Sequence, residues 1–279
     1  MLSRRAFLLS ASTAALAQDA SFSTNVDVVT LFATVRDADG NPATNLSRDD
    51  FTLFEDGVLQ TIHYFSRESD LPLAIGLLVD TSRSQESVLE PERRASYTFL
   101  DQVLREGKDE AFVASFDIRV QVLQDFTSSR RELAAALARL KIPPLASTLL
   151  YTAIRKCSEN QMKDRTGRKA FIILSDGVDV RSRTSIGTAI EFAQRADTII
   201  YSILFSATGS RIGGVLAAHE RGRKAMLRLA AETGGAYFEV TDDQPIEKIY
   251  AQVEEALRSQ IQLRLYAGWP ERERTVSQD

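Results

Sequence analysis

The chain has 279 residues, one cysteine, two histidines and a formal net charge of −4 from 34 Lys+Arg against 38 Asp+Glu. A single cysteine excludes an internal disulfide and a cysteine-built zinc site, and His63 and His219 stand too far apart in sequence to suggest a histidine metal centre. With 44% apolar and 26% charged residues the composition is that of a folded globular chain, and a pI of about 5.5 gives no reason to expect nucleic acid as a partner. Any metal site must therefore use oxygen ligands and take a hard divalent cation.

The first residues read as an address. Arg4 and Arg5 precede an apolar stretch, Ala6 to Ala17, that is too short to span a bilayer and ends in Ala15-Leu16-Ala17, a small-x-small cleavage pattern. Residues 1–17 are thus expected to be a signal peptide, and Ser3-Arg4-Arg5-Ala6-Phe7-Leu8 is similar to the twin-arginine export signal, although Leu9 stands where that pattern has lysine. No cysteine follows the apolar run, so no lipid or other membrane anchor is expected and the mature protein should be extracytoplasmic, periplasmic or secreted.

Residues 22–69 read as a small β-rich module. Val29, Leu31, Ala33 and Val35 alternate at period two, which is the pattern of a strand over 26–36. The turn formers from Asp37 to Pro42 could be mistaken for a calcium loop, but the glycine is fourth and Arg48 holds the twelfth place, so a turn is expected. Phe51 to Phe54 and Val58 to Phe65 are two further strands around the hairpin signal Glu55-Asp56-Gly57, with His63 in a structural role. A module this small buries too little apolar surface to be secure alone.

Residues 70–262 alternate strand and helix. Leu71–Val79 and Ala170–Ser175 are continuous apolar runs, as in parallel strands covered on both faces. Helices are expected over 88–105, 130–140, 148–160, 184–196, 222–233 and 245–258, with further strands at 111–117, 119–123, 198–205 and 236–240. This alternation predicts an α/β fold, a doubly wound, mostly parallel sheet with the small β module ahead of it. Residues 263–279 are read as the end of a strand and a polar tail.

In such a sheet, ligands sit beyond the carboxyl ends of the strands. The first buried strand ends Asp80-Thr81-Ser82-Arg83-Ser84, Thr148 begins a helix after Pro143-Pro144, and the strand at Ala170 ends Ser175-Asp176-Gly177. Asp80, Ser82, Ser84, Thr148 and Asp176 therefore converge on one edge. Two carboxylates and three hydroxyls suit a hard divalent ion, because hydroxyls coordinate without cancelling its charge and leave it electrophilic toward an outside oxygen.

These residues resemble a von Willebrand factor type A domain with its metal-ion-dependent adhesion site. The family pattern is D-x-S-x-S after the first strand, a threonine in a second loop and an aspartate in a third, and Asp80-x-Ser82-x-Ser84, Thr148 and Asp176 match it in order. The resemblance covers about residues 71–258. It implies a Rossmann-like fold, a divalent cation held by those five residues (Mg²⁺ first, with Mn²⁺ or Ca²⁺ as alternatives), and a protein partner whose Glu or Asp completes the shell. The region ahead of it is similar to a secreted bacterial subfamily, through Val35-Arg36-Asp37, Asp49-Asp50-Phe51 and Glu55-Asp56-Gly57. That subfamily continues into more β structure after the last helix, whereas here the chain soon stops. The small module is therefore expected to lack strands or to borrow an edge from a partner.

Catalytic readings find less support. Ser82 stands where a haloacid-dehalogenase-type phosphatase needs a second aspartate, there is no G-x-S-x-G, and the glycine-rich stretch Gly209 to Gly214 has no phosphate-loop lysine. The expectation is a non-enzymatic binding protein. The alternatives are a divalent-cation-dependent hydrolase using the same residues and a purely structural interaction domain. Cys157 falls on a buried helix face and is read as an inert core thiol. Arg211, Arg221, Arg223, Lys224 and Arg228 are read as a solvated basic face, and Asp179 as either a surface residue or a modulator of the site.

Overall fold

The computed structural model describes residues 28–33, 35, 43, 45–66, 71–144, 147–205, 213–259 and 261–266. The expected signal peptide, the turn over 37–42, Arg211 and the polar tail after 266 lie outside the described residues.

Among the described residues the strands are β1 (Val28–Ala33), β2 (Leu53–Glu55), β3 (Val58–Gln60), β4 (Tyr64–Ser66), β5 (Leu73–Asp80), β6 (Glu110–Phe116), β7 (Val120–Thr127), β8 (Arg168–Ser175), β9 (Thr198–Leu204), β10 (Tyr237–Glu239) and β11 (Ile261–Tyr266). The helices are α1 (Leu89–Val103), α2 (Arg130–Ala138), α3 (Leu150–Cys157), α4 (Ile186–Arg195), α5 (Gly213–Thr233) and α6 (Ile246–Arg258). Six strands make the main sheet in the order β10-β9-β8-β5-β6-β7. All its neighbours are parallel except β6 and β7, which form an antiparallel hairpin.

The sheet is covered on both sides, as the apolar runs require. Leu73, Ile75, Leu77 and Val79 of β5 join a core with α1, α2 and α6. Leu78 faces the opposite core, built with α3, α4 and α5. Every residue of β5 and β8 is buried. Gly76 keeps the centre of the second core passable, since a Cβ there would lie 2.5 Å from the Phe112 ring and 2.7 Å from that of Phe171. Cys157 is buried in the same core, where desolvation pushes its thiol up to about 12. This is a packed, unreactive sulfur.

The small module differs from its sequence reading in two ways. The run 58–65 is not one strand. β3 turns back on β2 through Asp56 (φ 51°) and Gly57 (φ 82°), as Asp-Gly dictates, whereas β4 joins a different sheet, so the chain must leave the ladder at 61–63 to change partners. That leaves His63 exposed and outside a strand. The second difference concerns the chain's own end. β11 lies between β1 and β4, antiparallel to both, and Ile261 and Leu263 pack with Ile62, Phe51 and Phe65. The expected boundary at residue 262 falls inside this strand, and the module takes its central strand from this chain and not from a partner. α5 also starts nine residues earlier than expected, at Gly213, so that Gly222 sits in its interior.

Asp109, fully buried just before β6, ties the opposite edge of the sheet together. It accepts hydrogen bonds from the Leu73 amide, from the backbone and guanidinium of Arg105 and from Arg258 at the end of α6, each at 2.9 Å. Although burial opposes it, this bonding holds the Asp109 carboxyl well below its usual range. Its stabilisation is therefore complete above the unfolded pKa near 4 and is lost as the pH falls further. Asp109→Asn is expected to cost roughly 3 kcal/mol at pH 7, since it removes a buried carboxylate that pairs with two part-buried arginines. In thermal melts from pH 6 to pH 2, the gap between wild type and variant should narrow below about pH 4.

Candidate metal centre

The strand order β8-β5-β6 brings three strand ends side by side. β5 ends in Asp80, β6 leads into Asp117, and β8 ends in Ser175 before Asp176. Thr81 pins the first loop to the end of β6: its amide donates to the Phe116 carbonyl (3.0 Å) and its hydroxyl to Asp117 (2.9 Å). Asp80 is fully buried and held at both oxygens, one accepting the Ser82 amide at 2.8 Å and the other the Ser175 hydroxyl at 2.5 Å. The backbone then enters a 3₁₀ turn (Arg83–Gln85), and the Ser82 and Ser84 hydroxyls meet at 3.0 Å.

The third loop is fixed from within and from behind. The Ser175 hydroxyl accepts the Gly177 amide (3.0 Å) and Asp176 accepts the Val178 amide (3.0 Å). Gly177 has φ +75°, and a Cβ on it would lie 2.4 Å from the Gly222 carbonyl. A Cβ on Gly222 would lie 2.0 Å from the Asp176 carbonyl. Two glycines thus let the Asp176 backbone rest directly on α5. The second loop is laced to the third. The Thr148 carbonyl accepts the amides of Val180 (3.1 Å) and Arg181 (3.2 Å), while Asp179 accepts the Tyr151 amide (3.1 Å) and the Ser182 amide (3.0 Å). The Ser182 hydroxyl accepts the Thr152 amide at 3.0 Å. Asp179 is therefore more than a plain surface residue. It satisfies a free amide in the first turn of α3 and ties that helix to the loop bearing Asp176.

Asp80, Ser82, Ser84, Thr148 and Asp176 all lie on this edge. The Ser82 and Ser84 hydroxyls touch directly, the charge of Asp176 acts on Asp80, and Thr148 is joined to the third loop through its backbone. Burial, and then the charge of Asp176, push the Asp80 carboxyl up to about 7, against the hydrogen bonds from Ser175 and Ser82. Glu92 of α1, 1% exposed, is pushed well above its ordinary value by burial and by the charges of Asp80 and Asp176. No basic side chain offsets either shift among the described residues. Nor do these residues contain a cluster of three carboxylate, imidazole or thiolate groups able to hold a metal. The donors are two carboxylates and three hydroxyls, and a hard divalent ion fits both their chemistry and their uncompensated negative charge.

Several residues of this edge escaped the sequence reading. Ser175 was visible in Ser-Asp-Gly, but its bond to Asp80 required the register of β5 and β8. Gly222 was visible as a glycine but was placed at a helix start. Asp117, Gln85 and Glu92 carried no signal of their own, because a single acid or amide beside a strand or within a charged helix reads as a solvated face.

No family model and no curated protein matches the chain in sequence. Solved structures do match it. An aerotolerance-related membrane protein from Bacteroides fragilis superposes with a TM-score of 0.52 at 15% identity, over 66% of this chain and 98% of that one. Proximal thread matrix protein 1 from the mussel byssus, with a zinc-occupied MIDAS motif, gives 0.56 at 12%, over 73% of this chain and 49% of that one. The PilB minor pilin from Streptococcus sanguinis gives 0.52 at 14%, over 69% of this chain and 62% of that one. The match thus spans about half of the mussel protein and under two thirds of the pilin. The fold is that of a von Willebrand factor type A domain. Among the described residues, no helix is long and apolar enough to cross a membrane.

Two expectations follow. In chelator, the buried Asp80 charge destabilises the metal-free protein increasingly as the pH rises from its unfolded value of 3.8 to about 7. Asp80→Asn should therefore raise the melting temperature in EDTA at pH 8, by an amount equivalent to roughly 2–4 kcal/mol, with the gain vanishing toward pH 4. Gly222→Ala should displace Asp176. It should lower the melting temperature at every pH, at a cost of about 1–3 kcal/mol for an overpacked contact.

Proposed function

We propose that this is an exported, non-enzymatic binding protein whose type A domain holds a divalent cation and docks an acidic side chain of a protein partner. Asp80, Ser82, Ser84, Thr148 and Asp176 would hold the ion. When bound, the ion supplies an electrophilic position that takes a carboxylate oxygen from outside. The observation carrying this reading is the fully buried Asp80 beside the part-buried Asp176 on one loop edge, with no basic side chain among the described residues offsetting the Asp80 shift, next to the paired hydroxyls of Ser82 and Ser84. Burying like charges together is costly, and a cation at the same edge removes the cost.

The chain's own groups divide the work. Ser175 and the Ser82 amide orient Asp80, Thr81 and Asp117 fix the first loop, and Gly177 on Gly222 sets the height of Asp176. Hydroxyls at Ser82, Ser84 and Thr148 add donors without adding negative charge. A partner carboxylate is then drawn by the ion, since the net charge of −4 offers no attraction of its own. The zinc-occupied MIDAS of the mussel protein supports a divalent ion here, Mg²⁺ being the first choice and Mn²⁺ or Ca²⁺ the alternatives. The twin-arginine-like start supports export.

The test is calorimetric titration of Mg²⁺ and Mn²⁺ into the wild type and Asp80→Ala. Binding by the wild type and loss of it in the variant are expected, and equal binding or none would sink the site. At ~100 times the dissociation constant the ion should add ~2.7 kcal/mol to stability, read as a rise in melting temperature. A screen of phosphatase and esterase substrates separates binder from enzyme: metal-dependent turnover that disappears in Asp80→Ala would overturn the non-enzymatic reading.

A further inference from the structure

Five buried polar atoms without any hydrogen-bond partner gather beside the candidate centre. They are the amide nitrogen and oxygen of Gln85, both carboxyl oxygens of Glu92 and the hydroxyl of Ser147. The three residues are 1%, 1% and 4% exposed. The other unpartnered buried side-chain atoms among the described residues are single guanidinium nitrogens, on arginines that bond through another nitrogen. The deficit thus falls on three residues, each close in sequence to the candidate centre or acted on by its charges.

That centre is the edge carrying Asp80 and Asp176. Ser147 adjoins Thr148 and Gln85 adjoins Ser84. The Gln85 amide donates to the Ser82 carbonyl, the Val88 amide to the Gln85 carbonyl and the Glu92 amide to the Val88 carbonyl, each at 3.0 Å. The turn after β5 therefore runs into α1 as one helical path. Gln85 and Glu92, seven residues apart along it, share a face two turns deep. Glu92 is buried on this helix, and the charges of both Asp80 and Asp176 act on it.

Buried polar groups are nearly always paired with protein or with ordered water, so three unpaired side chains from two segments mark a place built for water. Among the described residues Glu92 does not form a metal-holding cluster with Asp80 and Asp176. A hard cation such as Mg²⁺ sheds its water reluctantly and keeps several molecules in a protein site. We propose that Gln85, Glu92 and Ser147 form the cradle for the water held by the cation, with Glu92 and Gln85 accepting hydrogen bonds from that water. The inference rests on the cation reading above and assigns to these three residues a role in affinity that direct coordination does not cover. Outer-sphere partners of this kind are worth about 10–100-fold in metal affinity.

The experiment titrates Mg²⁺ by calorimetry into the full chain as wild type, Glu92→Met, Glu92→Gln and Gln85→Met, and melts each protein in EDTA. Glu92→Met and Gln85→Met should each bind Mg²⁺ about 10–100-fold more weakly while melting in EDTA at or above the wild-type temperature. Glu92→Gln, which can still accept from water, should lose less than Glu92→Met. Affinities within twofold of wild type in folded variants would overturn the cradle and leave the cation reading standing, whether or not the melting temperature moves. A wild type that binds no Mg²⁺ would remove both. If Glu92→Met does not fold, Glu92→Gln and Gln85→Met carry the comparison.

Discussion

A fully buried carboxylate at the end of the central strand, beside a second one and with no base among the described residues to offset it, is the constraint on which the molecule turns. Asp80 cannot move toward water, because β5 is covered on both faces and both of its carboxyl oxygens are already engaged. Its neighbours are arranged around that fact. Ser175 reaches across from β8, Thr81 locks the loop to Asp117, and Asp179 clamps the start of α3 to the segment bearing Asp176. The charge is held in place by hydrogen bonds and left without a counter-charge from the protein's own bases.

The central sheet could be read from the chain because its physics is local. A strand buried on both faces must be a continuous apolar run, and Leu71–Val79 and Ala170–Ser175 are such runs. The carboxyl-terminal positions of those strands then follow, and with them Asp80 and Asp176. What escaped was set by distance in sequence. β3 and β4 look like one strand until their partners are known, and β11 acquires its meaning only from β1 and β4. Glu92 lies in the run Glu90-Pro91-Glu92-Arg93-Arg94, which reads as solvated helix surface. Whether an acid on such a helix is wet or buried depends on the tilt of α1 over β5, and no periodicity states that. Gly222 hid for a similar reason. Its use is the approach of a loop 45 residues earlier in the chain.

The two glycine contacts and the hydrogen-bond lacing have a common effect. Each loop of the site is fixed by a different packed element: the first by β6, the second through Asp179, the third by α5. The hydroxyls and carboxylates are thereby placed before any ligand arrives, and less ordering entropy is spent at binding. The type A fold supplies the edge, and these particular contacts supply its rigidity.

The strand order of the small sheet has a mechanical meaning. β11 runs antiparallel to β1, with Val28 opposite Tyr266 and Ala33 opposite Ile261, so the chain enters and leaves this sheet at the same end. Tension applied to the two flanking segments would peel the pair apart one rung at a time, starting at Val28 and Tyr266. Rungs broken in sequence give way at lower force than rungs sheared together. The sheet would therefore yield first, and the extra chain it releases would absorb the extension. The loops holding Asp80, Thr148 and Asp176 would stay unloaded until the last rung had opened.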